Sequence, residues 1–316
     1  MVEYDPFLFY EDPYPVYRRL RDEAPVYLNR ERSIWVLSRF DDVQRAGRDW
    51  HTFSSAEGVD IDDSRLGPGS FLDADPPRHD ELRKILHADF TPASLARLEP
   101  LIAAKVDALV GTLIEREQVD LVGELARRLP VSVVCDLLGA PAEDHAQLEA
   151  WYAGMLHREP GRPEVTDVAE HATREIRRYI VDAVTERLRS PRGDLFSTIA
   201  AAHGEGRLSI DEVDGMCRLL LLAGVHTTSS LIANALMLLE GRPDERRALG
   251  ADPARIPDAI EELLRYLAPV QSGARVTTDK VEIHGVSVPR GERVRVPDRI
   301  RVHILDDCKA LFAHAP

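Results

Sequence analysis

The stretch MCRLLLLAGVHTTSSLIANALMLL, Met216 to Leu239, is the one long apolar run in the sequence, and its centre is notched by Ala223, Gly224, His226, Thr227 and Thr228. A membrane span of this composition would carry Arg218, His226, Asn234 and the hydroxyl run Thr227–Ser230 into hydrocarbon, where polar and charged groups are costly. A buried core helix accommodates the same residues if each polar group finds a partner. The notch is still expensive for a plain helix. Gly loses about 1 kcal/mol against Ala in a helix interior. A buried hydroxyl or imidazole left unpaired costs roughly 1–3 kcal/mol. Either the threonines bond back to the preceding turn, or a bound group lies against the notch.

Outward from this run, Ser209-Ile210-Asp211-Glu212 is a capping box that opens the helix, which continues to about Glu240. Upstream, helices are expected from Asp12-Pro13 to Ala24, from a Ser38 cap to Arg48, over 79–88, and from Thr91-Pro92 to Glu115. Val26–Leu28 and Ile34–Leu37 read as a hairpin, and His51 to Gly69 as a loop. Further helical segments cover 119–138, 143–157, 165–189 and 194–203, with a turn at Glu159 to Pro163. Downstream, Pro257–Leu267 is helical. Short strands then follow at 274–277, 281–283, 286–288 and 293–296, with Gly285 and Gly291 at the turns. The expected class is mainly α with a small β component.

The chain has 316 residues, enough to bury a sizeable core, and 40 basic against 54 acidic side chains give a net charge of −14. That balance speaks against nucleic acid and against an anionic membrane surface, both of which need clustered Lys and Arg. The three cysteines, Cys135, Cys217 and Cys308, are far apart and form no C-x-x-C pair. This argues against a disulfide framework or a structural zinc site and points to a cytoplasmic protein.

Two further constellations carry chemistry. His79 and Arg83, at i, i+4 on one helix face, are suited to grip a carboxylate, although such a pair is also common on a solvated face. Glu262 and Arg265, at i, i+3, can pair; alone, that spacing describes an ordinary surface ion pair.

Taken together, the order and spacing of these features resemble the cytochrome P450 family in its soluble bacterial form. The resemblance runs from Asp5 to about Val296. It includes Asp12-Pro13-Tyr14-Pro15, Asp75-Pro76-Pro77-Arg78-His79 to Arg83, Phe90-Thr91-Pro92, the Ala223–Thr228 notch, Glu262 to Arg265, Pro269-Val270, Arg275 and Gly285–Arg290. It implies roles for single positions. Ala223 and Gly224 would let a flat haem and dioxygen approach the long helix. Thr227 would help deliver protons, and His226, standing where the family has Asp or Glu, could relay them. His79, Arg83 and Arg275 would hold the haem propionates, and Glu262 with Arg265 would be a structural pair. A small lipophilic or natural-product substrate and a ferredoxin-type redox partner follow from the same resemblance.

The family pattern stops after Val296. The expected organisation is an incomplete, truncated P450-like domain over 1–296 and a tail over 297–316 that resembles nothing in the family. The glycine-flanked loop that carries the iron-ligating cysteine finds no match. Cys308 sits in Asp306-Asp307-Cys308-Lys309, where two acids disfavour a thiolate. No metal ligand is therefore assigned, haem is possible from the propionate-site residues, and thiolate ligation is not expected. Three functions compete: a P450 monooxygenase impaired by loss of the ligand loop, a haem-free auxiliary protein such as an activator of a glycosyltransferase, and a haem-free enzyme using His226 as acid or base. The second would place a protein partner over exposed core surface.

Overall fold

A computed structural model describes residues 2–8, 12–61, 66–157, 159 and 165–297. In chain order, α1 (Tyr14–Glu23) leads into the hairpin β1 (Val26–Asn29) and β2 (Ile34–Leu37), then α2 (Phe40–Arg48) and the short strand β3 (Phe53–Ser54). A helical series follows: α3 (Arg78–Leu86), α4 (Pro92–Ala96), α5 (Glu99–Leu113), a π-helical turn at Val122–Ala126, and α6 (Arg128–Leu138). It continues with α7 (His145–Met155), α8 (Asp167–Arg189), α9 (Leu195–Gly204) and the long α10 (Ile210–Glu240). The chain then forms α11 (Pro243–Ala251), α12 (Ile256–Tyr266) and the strands β4 (Ser272–Thr277), β5 (Val281–Ile283), β6 (Val286–Val288) and β7 (Arg293–Pro297). The mainly α class with a minor β part is what the sequence predicts.

Helix starts follow local chemistry. The side chains of Thr91, Thr166 and Asp194 accept from the backbone N–H groups of Ser94, Ala169 and Ser197. The capping box is formed in both directions: Glu212 N–H donates to Ser209 Oγ (3.2 Å), and Ser209 N–H donates to Glu212 Oε2 (2.9 Å). Ser38 is not a cap. Its hydroxyl donates to the Pro25 carbonyl, and α2 begins after Arg39 without a side-chain cap. The single helix expected over 93–115 is broken between Ala96 and Glu99. The turn expected at 159–163 and the tail at 298–316 lie outside the described residues.

The chain divides into two compact units. One comprises Met1–Arg65, Leu72–Pro76 and Asn234–Pro316. Its sheet has the order β1-β2-β7-β4-β3, and β2 and β7 run parallel in register Trp35 with Val294. The N-terminal hairpin and the late strands therefore share one sheet, which alternation alone does not predict. Val26, Trp35, Leu37, Phe53, Val288 and Val294 fill its core. Within this unit the end of α12 is tied down twice. Tyr14 Oη donates to the Tyr266 carbonyl (2.7 Å), and Asn234 Nδ2 donates to the Leu267 carbonyl (3.1 Å).

The other unit comprises Leu66–Phe71 and Pro77–Ala233, and it is helical. Ile176, Ile180 and Val184 of α8, Phe196 and Ile199 of α9, and Val213, Met216 and Leu219 of α10 are buried. α10 alone among the described helices is long and apolar enough to cross a membrane. It is not uniformly buried, as the sequence suggested. Val213 to Cys217, Leu219, Leu221 and Val225 are enclosed, whereas the residues after Val225 are half-buried or exposed.

Candidate functional site

The notch of α10 is helical throughout. Thr227 Oγ1 donates to the Ala223 carbonyl at 2.6 Å, the back-bond to the preceding turn that the sequence allowed. Ala223, His226 and Thr228 are exposed, and Thr227 is half-buried. Ser229 Oγ is buried and has no hydrogen-bond partner among the described residues. Gly224 has a packing reason to be glycine: a Cβ there would lie 2.6 Å from Val134 Cγ2 on α6. The small pair thus divides its work, with Gly224 admitting α6 and Ala223 keeping an exposed face of the helix low.

On α3, Leu82, Ile85 and Leu86 are buried and hold the helix to its unit. His79 is half-buried, and its Nδ1 lies 2.8 Å from the Phe71 carbonyl. A carbonyl can only accept, so Nδ1 carries the proton and Nε2 is left with a lone pair. The Phe71 ring stands edge-on to the imidazole, 6.1 Å between centroids and 90° between planes. Arg83, one turn on, is exposed and makes no hydrogen bond or ion pair with the described residues. Arg78 anchors the start of α3, with Nη2 2.5 Å from Glu212 Oε1. Burial pushes the Glu212 carboxyl up, but the Ser209 N–H and the Arg78 guanidinium outweigh it and leave the group below its ordinary range.

In the other unit, Glu262 and Arg265 of α12 form a bidentate pair, Nε to Oε2 at 2.6 Å and Nη2 to Oε1 at 2.5 Å. Glu262 is 5% exposed, so this is a buried pair and not the surface one that spacing alone describes. Its carboxylate raises the Arg265 guanidinium further above the usual range. Arg275 sits on β4, half-buried, with Nη1 donating to its neighbour's carbonyl, Ala274 O (2.7 Å). The nine sequence-selected residues therefore fall into two sets. His79, Arg83, Ala223, Gly224, His226 and Thr227 belong to the helical unit, and Glu262, Arg265 and Arg275 to the unit that carries the sheet.

The cysteines are informative. Cys135 and Cys217 are buried free thiols. Burial, helped by the Asp136 charge, pushes Cys135 up to about 12, and burial drives Cys217 higher still. Neither offers a thiolate at neutral pH. Cys308 lies outside the described residues. The sequence did not single out the network under His79: Arg218, Asp214 and the segment Leu66–Phe71. Asp214 and Arg218 at i, i+4, with glycines at 69 and 215, were the available signal.

A scan against protein-family models finds no match. Whole-chain comparisons do. The chain is 36% identical over 298 residues to the vitamin D(3) 25-hydroxylase of Pseudonocardia autotrophica, covering 90% of this chain and 72% of that one. It is 35% identical over 274 residues to the erythromycin C-12 hydroxylase of Saccharopolyspora erythraea, covering 85% and 68%. Its fold matches the crystal structure of CYP109E1 from Bacillus megaterium in complex with testosterone, with TM-score 0.80, 31% identity, and coverage of 90% of this chain and 75% of that one. With this identity spread over nine-tenths of its length, the chain belongs to the cytochrome P450 family.

Proposed function

We propose that α3 and the notch of α10 are part of the haem-facing platform of a P450 monooxygenase for a small lipophilic or natural-product substrate, and that none of the three cysteines in this sequence is suited to ligate iron. The observation that carries the reading is on α3. The His79 ring is oriented by the Phe71 carbonyl, and one turn away stands an exposed guanidinium, Arg83, with no carboxylate partner among the described residues. This donor set fits the anionic edge of a haem. Arg83 offers a planar fork of N–H donors to one carboxylate. With Nδ1 directed to the Phe71 carbonyl, His79 can donate to an anion only through Nε2. Haem, when bound, supplies the iron at which dioxygen is reduced with electrons from a ferredoxin-type partner.

This chain's own residues then handle protons and shape. Thr227 Oγ1 keeps its proton in the bond to Ala223 O and leaves its lone pairs open to accept one from water. His226, exposed one residue earlier, stands in the place of the family's carboxylate as the candidate proton relay. Ala223 keeps the helix surface low. Two relatives are named as hydroxylases of vitamin D(3) and of erythromycin, and the matching crystal structure is a complex with testosterone, which supports a lipophilic or natural-product substrate here; the acidic composition with few cysteines supports a cytoplasmic location.

Haemin titration of the purified chain tests the platform. Replacing both His79 and Arg83 by Gln should weaken binding at least about tenfold, since a hydrogen bond to a charged group is worth about 1.5–3 kcal/mol. Unchanged binding would sink the reading. Reduction under carbon monoxide tests the reading of the cysteines: the expected spectrum of these 316 residues lacks a thiolate–CO band, and its presence would restore Cys308 as ligand. A second reading, a haem-free auxiliary protein with a protein partner, draws on α12, where Ile256, Ile260 and Leu264 form an exposed apolar stripe at i, i+4, i+8. Solubility gained only on co-expression with a glycosyltransferase would favour it. The acid–base reading of His226 needs an apolar enclosure, and the exposed imidazole does not supply one.

A further inference from the structure

We propose that Arg218 is a positioning residue for His79, acting through the backbone of residues 66–71; the functional weight of this inference rests on the reading of His79 as a haem contact. The Arg218 guanidinium is fixed before it reaches the loop. Its Nε donates to Asp214 Oδ2 at 3.0 Å, and that buried carboxylate is shared with Arg177 Nη1 at 3.2 Å. Its Nη2 donates to the Leu66 carbonyl at 3.1 Å. From Leu66 onward the segment lies on α10 with no slack. A Cβ at Gly215 would fall 1.8 Å from the Pro68 carbonyl oxygen, and a Cβ at Gly69 would fall 1.9 Å from the Glu212 carbonyl oxygen. Between them the chain turns, with the Ser70 N–H donating to the Gly67 carbonyl at 3.2 Å. The segment ends at Phe71, whose carbonyl takes the Nδ1 proton of His79.

His79 is therefore held twice. Its backbone is set by α3, which Arg78 ties to Glu212, and its ring is set by a carbonyl whose position depends on the grip at Leu66. The physical effect is a choice of tautomer. Free histidine in water prefers the proton on Nε2; here the Phe71 carbonyl takes it on Nδ1 and leaves Nε2 as the atom that must accept the proton an incoming anion requires. An outer partner that fixes tautomer and ring direction is what makes a histidine contact directional. Without Arg218, the carbonyl of Leu66 loses its charged donor, the segment loosens, and the ring can rotate or exchange tautomers.

The test reads the tautomer directly. In the haem-free chain labelled with 15N-histidine, the His79 signals are assigned by their loss in His79→Gln. In alkaline buffer the wild type should show the Nδ1–H form. Arg218→Ala should convert it at least in part to the Nε2–H form, and Arg218→Lys, which keeps one donor and a charge for Asp214, should restore part of the original signal. An unaltered Nδ1–H signal in a folded Arg218→Ala protein would overturn the proposal; if that variant does not fold, an unaltered signal in Arg218→Gln would do so. Haemin titration separates this inference from the one beneath it. A shifted tautomer with about tenfold weaker haemin binding supports both. A shifted tautomer with unchanged haemin binding, in Arg218→Ala and in His79→Gln alike, leaves the positioning intact and removes the haem contact. Weaker binding in His79→Gln with no tautomer shift on loss of Arg218 removes the positioning alone.

Discussion

Between Ile210 and Val225 lie all the buried residues of α10, Val213 to Cys217, Leu219, Leu221 and Val225; from His226 to Glu240 the helix is similarly apolar in composition but half-open. In the first half, burial runs through five successive positions, Val213 to Cys217, so no face is left for solvent. Two charged residues are accommodated there by pairing, Asp214 with Arg177 and Arg218. Two backbones approach closely enough that Gly215 tolerates no side chain. In the second half, Met237 is 68% exposed and no described side chain of that segment is fully buried. Hydropathy does not separate these halves. What separates them is packing: the first half meets its neighbours closely at Gly215 and Gly224 and holds the buried residues, and the second presents apolar surface without that constraint.

The sharpest way to break this contrast is Gly215→Ala. The added methyl meets a backbone carbonyl, which cannot rotate aside, so either the 66–71 segment or α10 must move. A cost above about 3 kcal/mol is expected, at the upper end of overpacking effects. Thermal unfolding followed by circular dichroism should show a large fall in Tm or loss of the cooperative transition. A Tm within about 2 °C of wild type, worth less than about 1 kcal/mol, would mean that the loop does not lie on the helix.

Gly224→Ala is the next largest and sits where the two halves meet. Its methyl would lie 2.6 Å from Val134 Cγ2, a branched side chain with little rotamer freedom. A loss of about 1–3 kcal/mol is expected, and Val134→Ala in the same chain should recover much of it. Failure of the second change to rescue the first would show that glycine is kept at 224 for another reason, such as the approach of haem that the family resemblance implies.

How far these contacts could be read beforehand depends on whether they are local. The capping box at Ser209 and Glu212, the Thr91 cap and the β1–β2 hairpin each carry their own signature within a few residues, and all three are present. The pairing of β2 with β7 joins segments from opposite ends of the chain, and nothing local announces it. α11 carries the signals of a helix start, Pro243 followed by Asp244 and Glu245, but it is short and its pattern is weak beside that of α10. At the candidate site the residue types were legible and their partners were not. The spacing of Glu262 and Arg265 suggests a pair but not its burial, and the partner of His79 is a backbone carbonyl, which has no side-chain identity to read.

Glu212→Gln gives a smaller, pH-dependent effect in the tight half of α10. The carboxyl is held below its ordinary value of 4.5, so its contribution is present above that pH and is lost as pH falls through the lower folded-state value. The variant should be less stable than wild type by about 1 kcal/mol at pH 7, the size of a cap plus a partly exposed ion pair. The two proteins should converge on acidification. A deficit that persists unchanged in acid would assign the effect to shape and not to charge.

The smallest expected effect is the one that weighs most on the open half. Met237 is 68% exposed, so little of its surface leaves water on folding. Fully burying a side chain of this size is worth about 1.5–3 kcal/mol, and a residue that stays mostly solvated retains only a minor share of that. Met237→Gln keeps length and helix propensity while removing the apolar end. It should therefore change stability by no more than about 0.5 kcal/mol, as for an ordinary surface site. A loss several times larger, read as a fall in Tm or in the urea midpoint, would mean that Met237 is covered in solution. In that case the second half of α10 would be as enclosed as the first, by a further segment or a partner molecule. Repeating the measurement across a range of protein concentrations tells the two apart, because only cover supplied by a second molecule makes Tm depend on concentration.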